Sequence, residues 1–248
     1  MKAVITGASS GLGLEMARYC VEKGMDVVLV ARSQERLAAI QVELGNHATI
    51  VISDLADSEN CYQLFDKYRD ADILINNAGF AVYGEFTGTS LEQEIGMLNV
   101  NIIASHILMK LYLQEMSKRN SGYILNIASG AVFTPGPLLA AYASSKSYLY
   151  RLTQAVHEEL RNAHSKVFVG VFCPGPIHTN FGKTANVRFN MKYMTAEYAA
   201  RKAIDGMFKK NAVVIPNGET KMIRILAKLL PSSFLAKFSY KTPTPYSK

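Results

Sequence analysis

The chain has 248 residues, 49% hydrophobic and 19% charged, which excludes a disordered or fibrous protein and suits one α/β domain with a substantial core. Its net charge of +7 lies entirely in the tail: residues 1–208 hold 19 basic and 19 acidic side chains, residues 209–248 eight basic and only Glu219. A neutral body excludes nucleic acid as the partner, and without an eighteen-residue apolar run or a secretory leader the expected setting is cytoplasmic.

In chain order, AVIT at residues 3–6 reads as a strand that runs into GASSGLG and then into the helix LEMARYCVEKG. Strand, glycine turn and helix form a dinucleotide fingerprint: Gly7 serves the tight turn, Gly11 lets the backbone approach a pyrophosphate, and Gly13 lets the helix pack close to the sheet. The helix N-terminus then offers free N–H groups to the phosphates, with Ser10 as a further contact. A second strand, DVVLV, ends in Ala31-Arg32-Ser33 before the helix QERLAAIQVELG. Where a carboxylate would bind both ribose hydroxyls of NAD, this chain has Ala31 followed by the Arg32 guanidinium, which matches a 2′-phosphate and favours NADP(H) over NAD(H). ATIVIS is a third strand, and Asp54 after it either accepts from the adenine amino group or caps the helix that begins near Ser58. DILINNAGF is a fourth strand entering Asn76-Asn77-Ala78-Gly79, a turn whose amides satisfy neighbouring backbone while its own backbone lies along the cofactor ribose.

Residues 91–119 read as one long helix with apolar residues on more than one side. YILNIAS is a fifth strand delivering Ser129 to the carboxyl end of the sheet, where open α/β sheets bind ligands. After the loop 130–141, the helix from Tyr142 carries Tyr142 and Lys146 one turn apart on one face. An ammonium beside a phenol favours the phenolate and lowers its pKa, so Tyr142 is expected to handle a proton while Ser129 holds the same oxygen. His157 and His164, further along that helix, read as surface or interface residues. KVFVGVFCPG is a sixth strand, followed by Pro174-Gly175-Pro176-Ile177-His178-Thr179. Cys20, Cys61 and Cys173 form no CxxC or CxxH pattern, so no zinc or other metal and no disulfide framework is expected.

TGASSGLG, NNAG, a serine thirteen residues before a tyrosine, YASSK and PGPIHT occur together and in that order. The chain thereby resembles the short-chain dehydrogenase/reductase superfamily in its compact, single-domain branch, over residues 1 to about 215. The resemblance implies a Rossmann-type doubly wound parallel sheet of about seven strands with helices on both faces. It also implies a nicotinamide cofactor and hydride exchange with a carbonyl or alcohol carbon. It places Asn101 in a relay with Lys146, Tyr142 and Ser129, through a water near the lysine. Ser9, Leu12, Leu55, Pro174 and Gly175 join the cofactor contacts, and the Ile177 backbone and Thr179 hydroxyl hold the nicotinamide carboxamide. Substrate walls are expected from Ala131, Phe133, Leu138, Leu139, Phe181, Phe189 and Met191, a largely apolar set suited to a lipophilic ketone, aldehyde or 3-oxoacyl group. A homodimer or homotetramer would form through helices 91–119 and 142–164. A binding-only NADP sensor is the alternative, and would be expected to lack Tyr142 or Lys146, which are both present.

All 248 residues are read as a single domain, with 180–195 as substrate loop and 216–248 as a basic amphipathic extension. The extension departs from the family's usual closing strand. Lys221, Arg224 and Lys228 make a basic stripe on an apolar helix, and three readings stay open: packing over the cleft or a dimer seam, contact with a membrane surface, or docking of an acidic carrier protein. The final TPTPYSK is expected to be mobile.

Overall fold

The computed structural model describes residues 1–246. Strands β1 (Lys2–Thr6), β2 (Asp26–Ala31), β3 (Ala48–Ile52), β4 (Ile73–Asn76) and β5 (Tyr123–Ile127) alternate with helices α1 (Gly11–Glu22), α2 (Gln34–Leu44), α3 (Ser58–Tyr68), α4 (Leu91–Leu98) and α5 (Ser105–Lys118). Then come α6 (Ala140–Asn162), β6 (Phe168–Phe172), β7 (Ile177–His178), α7 (Phe181–Thr184), β8 (Val187–Phe189), β9 (Met194–Thr195), α8 (Ala196–Phe208) and β10 (Val213–Val214). Two further helices, α9 (Gly218–Leu229) and α10 (Ser232–Tyr240), and a short strand, β11 (Pro243–Pro245), complete the described chain.

Seven strands form one parallel sheet in the order β3-β2-β1-β4-β5-β6-β10. Strands buried on both faces need apolar residues at successive positions, and VVLV in β2 and ILI in β4 supply them. Alternate residues feed two cores. Ala3 and Ile5 pack with Met16 of α1, Leu37 of α2 and Ile204 of α8, while Val4 packs with Leu64 of α3 and Tyr112 of α5. This is the doubly wound Rossmann-type architecture expected from the motifs.

Residues 91–118 do not form one uniform α-helix. A π-helical turn, Asn99–Ala104, separates α4 from α5. This run is long and apolar enough to span a bilayer by length and composition, yet Met97, Leu108, Met109, Tyr112 and Met116 lie buried inside the fold, as in a core helix.

The end of the chain departs from expectation. Pro243–Pro245 pairs antiparallel with Val187–Phe189, Asn190 N–H donates to Thr242 O, and Tyr246 N–H to Asn186 O. The Arg188 guanidinium lies over the Tyr246 ring. The segment expected to be mobile is therefore a strap across residues 186–190 as far as Tyr246; Ser247 and Lys248 fall outside the described residues.

Candidate active site

The site assembles at the carboxyl ends of β1, β4, β5 and β6. Gly11 has φ +57°, and a Cβ built on it would lie 3.0 Å from Thr179 Cγ2. A Cβ at Gly13 would collide with the Gly7 carbonyl oxygen, so only glycine lets α1 come this close to the turn. Ser10, the N-cap of α1, is extended and makes no side-chain cap hydrogen bond. The leading N–H groups of α1 are left for an anion, with Ser9 and Leu12 half-buried beside them. The NNAG turn is tied to this one. Asn77 Nδ2 donates to Thr6 O and Gly7 O, and Thr6 Oγ1 accepts from the N–H groups of Asn77 and Ala78.

Arg32 sits at the end of β2 with its side chain 74% exposed and a guanidinium nitrogen 3.8 Å from Asp54. At that exposure the pair contributes little and leaves the guanidinium free to move. Asp54 Oδ1 accepts from Ala56 N, and Leu55 between them is buried. The N-cap of α3 is Asp57, which accepts from Glu59 N. The capping role considered for Asp54 is thereby corrected: its carboxylate is turned back onto its own loop.

Tyr142 and Lys146 occupy the first two turns of α6 and are 6% and 5% exposed. Lys146 Nζ donates to Ile127 O at 2.9 Å, the last residue of β5. Ser129 Oγ accepts from Ala131 N, and its interaction with the Tyr142 phenol favours the phenolate. Burial pushes the phenol up to about 12, with the Ser129 contact opposing it, and burial draws Lys146 down to about 8. The expected lowering of the phenol by the ammonium is therefore corrected. Desolvation penalises the charged form of each group and is the largest cause of both shifts.

Asn101 is fully buried in the π-helical turn. Its Oδ1 accepts from Phe80 N, and its Nδ2 donates to Phe80 O and to Ser145 Oγ. Ser145 Oγ in turn donates to Tyr142 O at 2.7 Å. A π turn commonly marks a functional position within a helix, and here it carries the Asn101 side chain, which joins Phe80, after the NNAG turn, to Ser145 on the helix of Tyr142. A Cβ built on Gly79 would stand 2.7 Å from Asn101 Oδ1 and 3.0 Å from Lys146 Nζ, so the NNAG backbone lies directly against the lysine. Sequence reading passed over Ser145; the second serine of YASSK was the available signal.

On the far side, Gly130 N donates to Pro174 O and Gly175 N to Asn217 Oδ1. Ile177 pairs with Met194, and Thr179 Oγ1 accepts from Phe181 N. The Phe181 ring lies 5.7 Å from that of Tyr142. Ala131, Leu139, Phe181, Val187 and Phe189 belong to the same apolar cluster as the phenol. Leu138 has φ +64° and its carbonyl accepts from Gly84 N, joining two loops at the rim. Phe133 is a correction. Its ring packs edge-on against Tyr150 and under Arg224, in a separate cluster with Cys173 and Ile215. Asn217 Nδ2 and Thr220 Oγ1, both beside Gly175, have no hydrogen-bond partner among the described residues; neither residue stood out in the sequence. The His178 ring is exposed and stacked on Tyr193.

A family model described as short chain dehydrogenase matches residues 1–188. An uncharacterized oxidoreductase of Staphylococcus epidermidis is 33% identical over 181 residues, 71% of this chain and 78% of that protein. The ketoacyl reductase HetN of a Nostoc species is 31% identical over 248 residues, 93% of this chain and 85% of that one. Among solved structures, a short-chain dehydrogenase from Sphingobium yanoikuyae in complex with NADPH superposes with a TM-score of 0.83 at 25% identity, covering 92% of this chain and 93% of its own.

Proposed function

The chain belongs to the short-chain dehydrogenase family of oxidoreductases, and from that membership we propose that it interconverts a lipophilic carbonyl compound and its alcohol with NADP(H). The observation that carries this reading is a buried phenol, one helical turn from Lys146, in an apolar cluster at the open end of the sheet.

The residues present fit a dinucleotide. An uncapped helix N-terminus follows a turn with Gly11 at positive φ, and the Gly79 backbone adjoins Lys146. Gly7, Ser9, Ser10, Gly11, Leu12 and Gly13 would hold the pyrophosphate, Asp54 and Leu55 the adenine end, and Asn77, Ala78, Gly79, Tyr142 and Lys146 the ribose. Pro174, Gly175, Ile177 and Thr179 would hold the carboxamide. Ala31 in place of an acid and the loosely held Arg32 support a 2′-phosphate. When bound, the nicotinamide supplies or accepts the hydride.

The chain's own work is proton transfer and positioning. A phenol raised to about 12 is protonated at neutral pH, and so is able to give its proton to a carbonyl oxygen that Ser129 also holds. In the opposite direction Tyr142 must first lose that proton. Lys146, near its midpoint at about pH 8, is suited to pass protons to and from the phenol. Asn101 acts as a positioning residue, locking Phe80 and Ser145 around this pair. The lining of Ala131, Leu139, Phe181 and Phe189 supports a ketone, aldehyde or 3-oxoacyl substrate, and the ketoacyl reductase relative points the same way. Exposed Leu91, Ile95, Ile103 and Tyr148 on the outer faces of α4 to α6 support a homodimer or homotetramer through these helices.

The test follows NADPH and NADH absorbance in parallel against graded 3-oxoacyl thioesters, aryl ketones and aldehydes. NADPH is expected to be consumed faster, and Arg32→Ala to reduce that preference about tenfold. Failure of every carbonyl compound to oxidise either cofactor would overturn the reading.

A further inference from the structure

Large exposed apolar side chains occur singly in several places, Val42 and Phe86 among them, but the C-terminal arm carries a group of them on two consecutive helices. Met222, Ile225 and Leu229 of α9 and Phe234, Phe238 and Tyr240 of α10 are 52–75% exposed. On α9 the spacing 222, 225, 229 is that of one helical face, a stripe that would normally meet a core. Only Thr220 of α9 and Leu235 of α10 are buried. Lys221, Lys228, Lys237 and Lys241 are exposed around these apolar residues, and none has an ion-pair partner among the described residues. The one acid, Glu219, is held by the Lys192 N–H.

This composition selects among occupants. A second copy of the same face would set lysine against lysine. An acidic protein would answer the lysines but offer nothing to Leu229, Phe234 and Phe238. An anionic bilayer surface answers both, with acyl chains beneath the apolar side chains and lipid phosphates beside the cations. The arm also borders the cleft: Pro137 of the rim loop and Ala236, Lys237, Tyr240 and Lys241 line one groove. We propose that α9 and α10 form a docking face for an anionic phospholipid surface, which would set the mouth of the apolar cleft at the level of the lipid. Binding is read without turnover, so this proposal and the proposed reaction stand or fall separately.

The experiment is flotation of the full chain with phosphatidylcholine vesicles, pure or containing about one third phosphatidylserine. The protein is expected to float with the anionic vesicles only, and to be released by added salt. Lys221→Glu with Lys228→Glu should weaken partitioning by about 100-fold at least, and Leu229→Ser with Phe234→Ser should weaken it independently. Unchanged melting temperatures would show that the variants are folded. Three results overturn the proposal: the wild-type chain stays unbound with both vesicles, both pairs of substitutions leave binding unchanged, or the serine variants abolish a concentration-dependent dimer of a chain that does not bind lipid.

Discussion

Around Tyr142 the loops are tied to one another by hydrogen bonds between distant segments: Asn77 to Thr6 and Gly7, Asn101 to Phe80 and Ser145, Lys146 to Ile127. In α9 and α10 the reverse holds, for two residues are buried and Met222, Ile225 and Leu229 of the apolar stripe are each more than half exposed. The first region resembles a prepared receptor, rigid before any ligand arrives. The second is bound at its root, where Thr220 abuts Gly130 and Gly175, and by the strap of Pro243–Pro245 on Val187–Phe189. The two meet at Asn217 and Thr220, whose unpartnered atoms lie at the junction.

That contrast predicts large effects in the cleft and small ones in the arm. Tyr142→Phe keeps the ring and removes the proton donor; turnover should fall about a thousandfold while cofactor affinity, measured by fluorescence titration, stays within about twofold. Comparable loss of affinity would make Tyr142 a structural residue and break the contrast. Gly13→Ala places a Cβ against the Gly7 carbonyl. It should cost about 2 kcal/mol in denaturant unfolding and weaken dinucleotide binding with it.

The pH dependence follows from Lys146. Its folded pKa of about 8 lies below its ordinary 10.5, so between these values the unfolded chain binds more protons. Lys146 by itself therefore makes stability rise with pH across that window, against the buried thiols of Cys20, Cys61 and Cys173, whose raised values act the other way above about pH 9. The difference between wild type and Lys146→Met, read from urea midpoints at a series of pH values, should carry that rise, and a difference that does not change with pH would mean that burial leaves the ammonium unshifted. Smallest of all, Phe234→Ser should shift stability by no more than about 0.5 kcal/mol and leave turnover on soluble substrates unchanged. A larger loss would mean that α10 packs on the body.

How much was legible in the sequence divides along similar lines. Gly11 and Gly13 could be read because backbone sterics demand them locally, and the four-residue spacing of Tyr142 and Lys146 because a helix makes it a shared face. Asn77 could be read because an amide after a strand must satisfy something nearby. Phe133 was misjudged because an apolar ring takes whichever neighbour the tertiary fold supplies, here Tyr150. The phenol's shift was misjudged because spacing reveals partners and conceals burial. The clamp of Asn101 on Phe80 and the strap of β11 on β8 join residues far apart in the chain, and no local pattern announces either.

The π-helical turn at Asn99–Ala104 has a consequence for tolerance to deletion. Such a turn holds one residue more than α-helical winding needs and absorbs it without changing the phase of the stripes on α4 and α5. Excising one of those six positions would let the winding become regular and leave Leu108, Tyr112 and Met116 facing the sheet. A single lost codon in this stretch should therefore disturb the Asn101 clamp and the site it serves more than the fold.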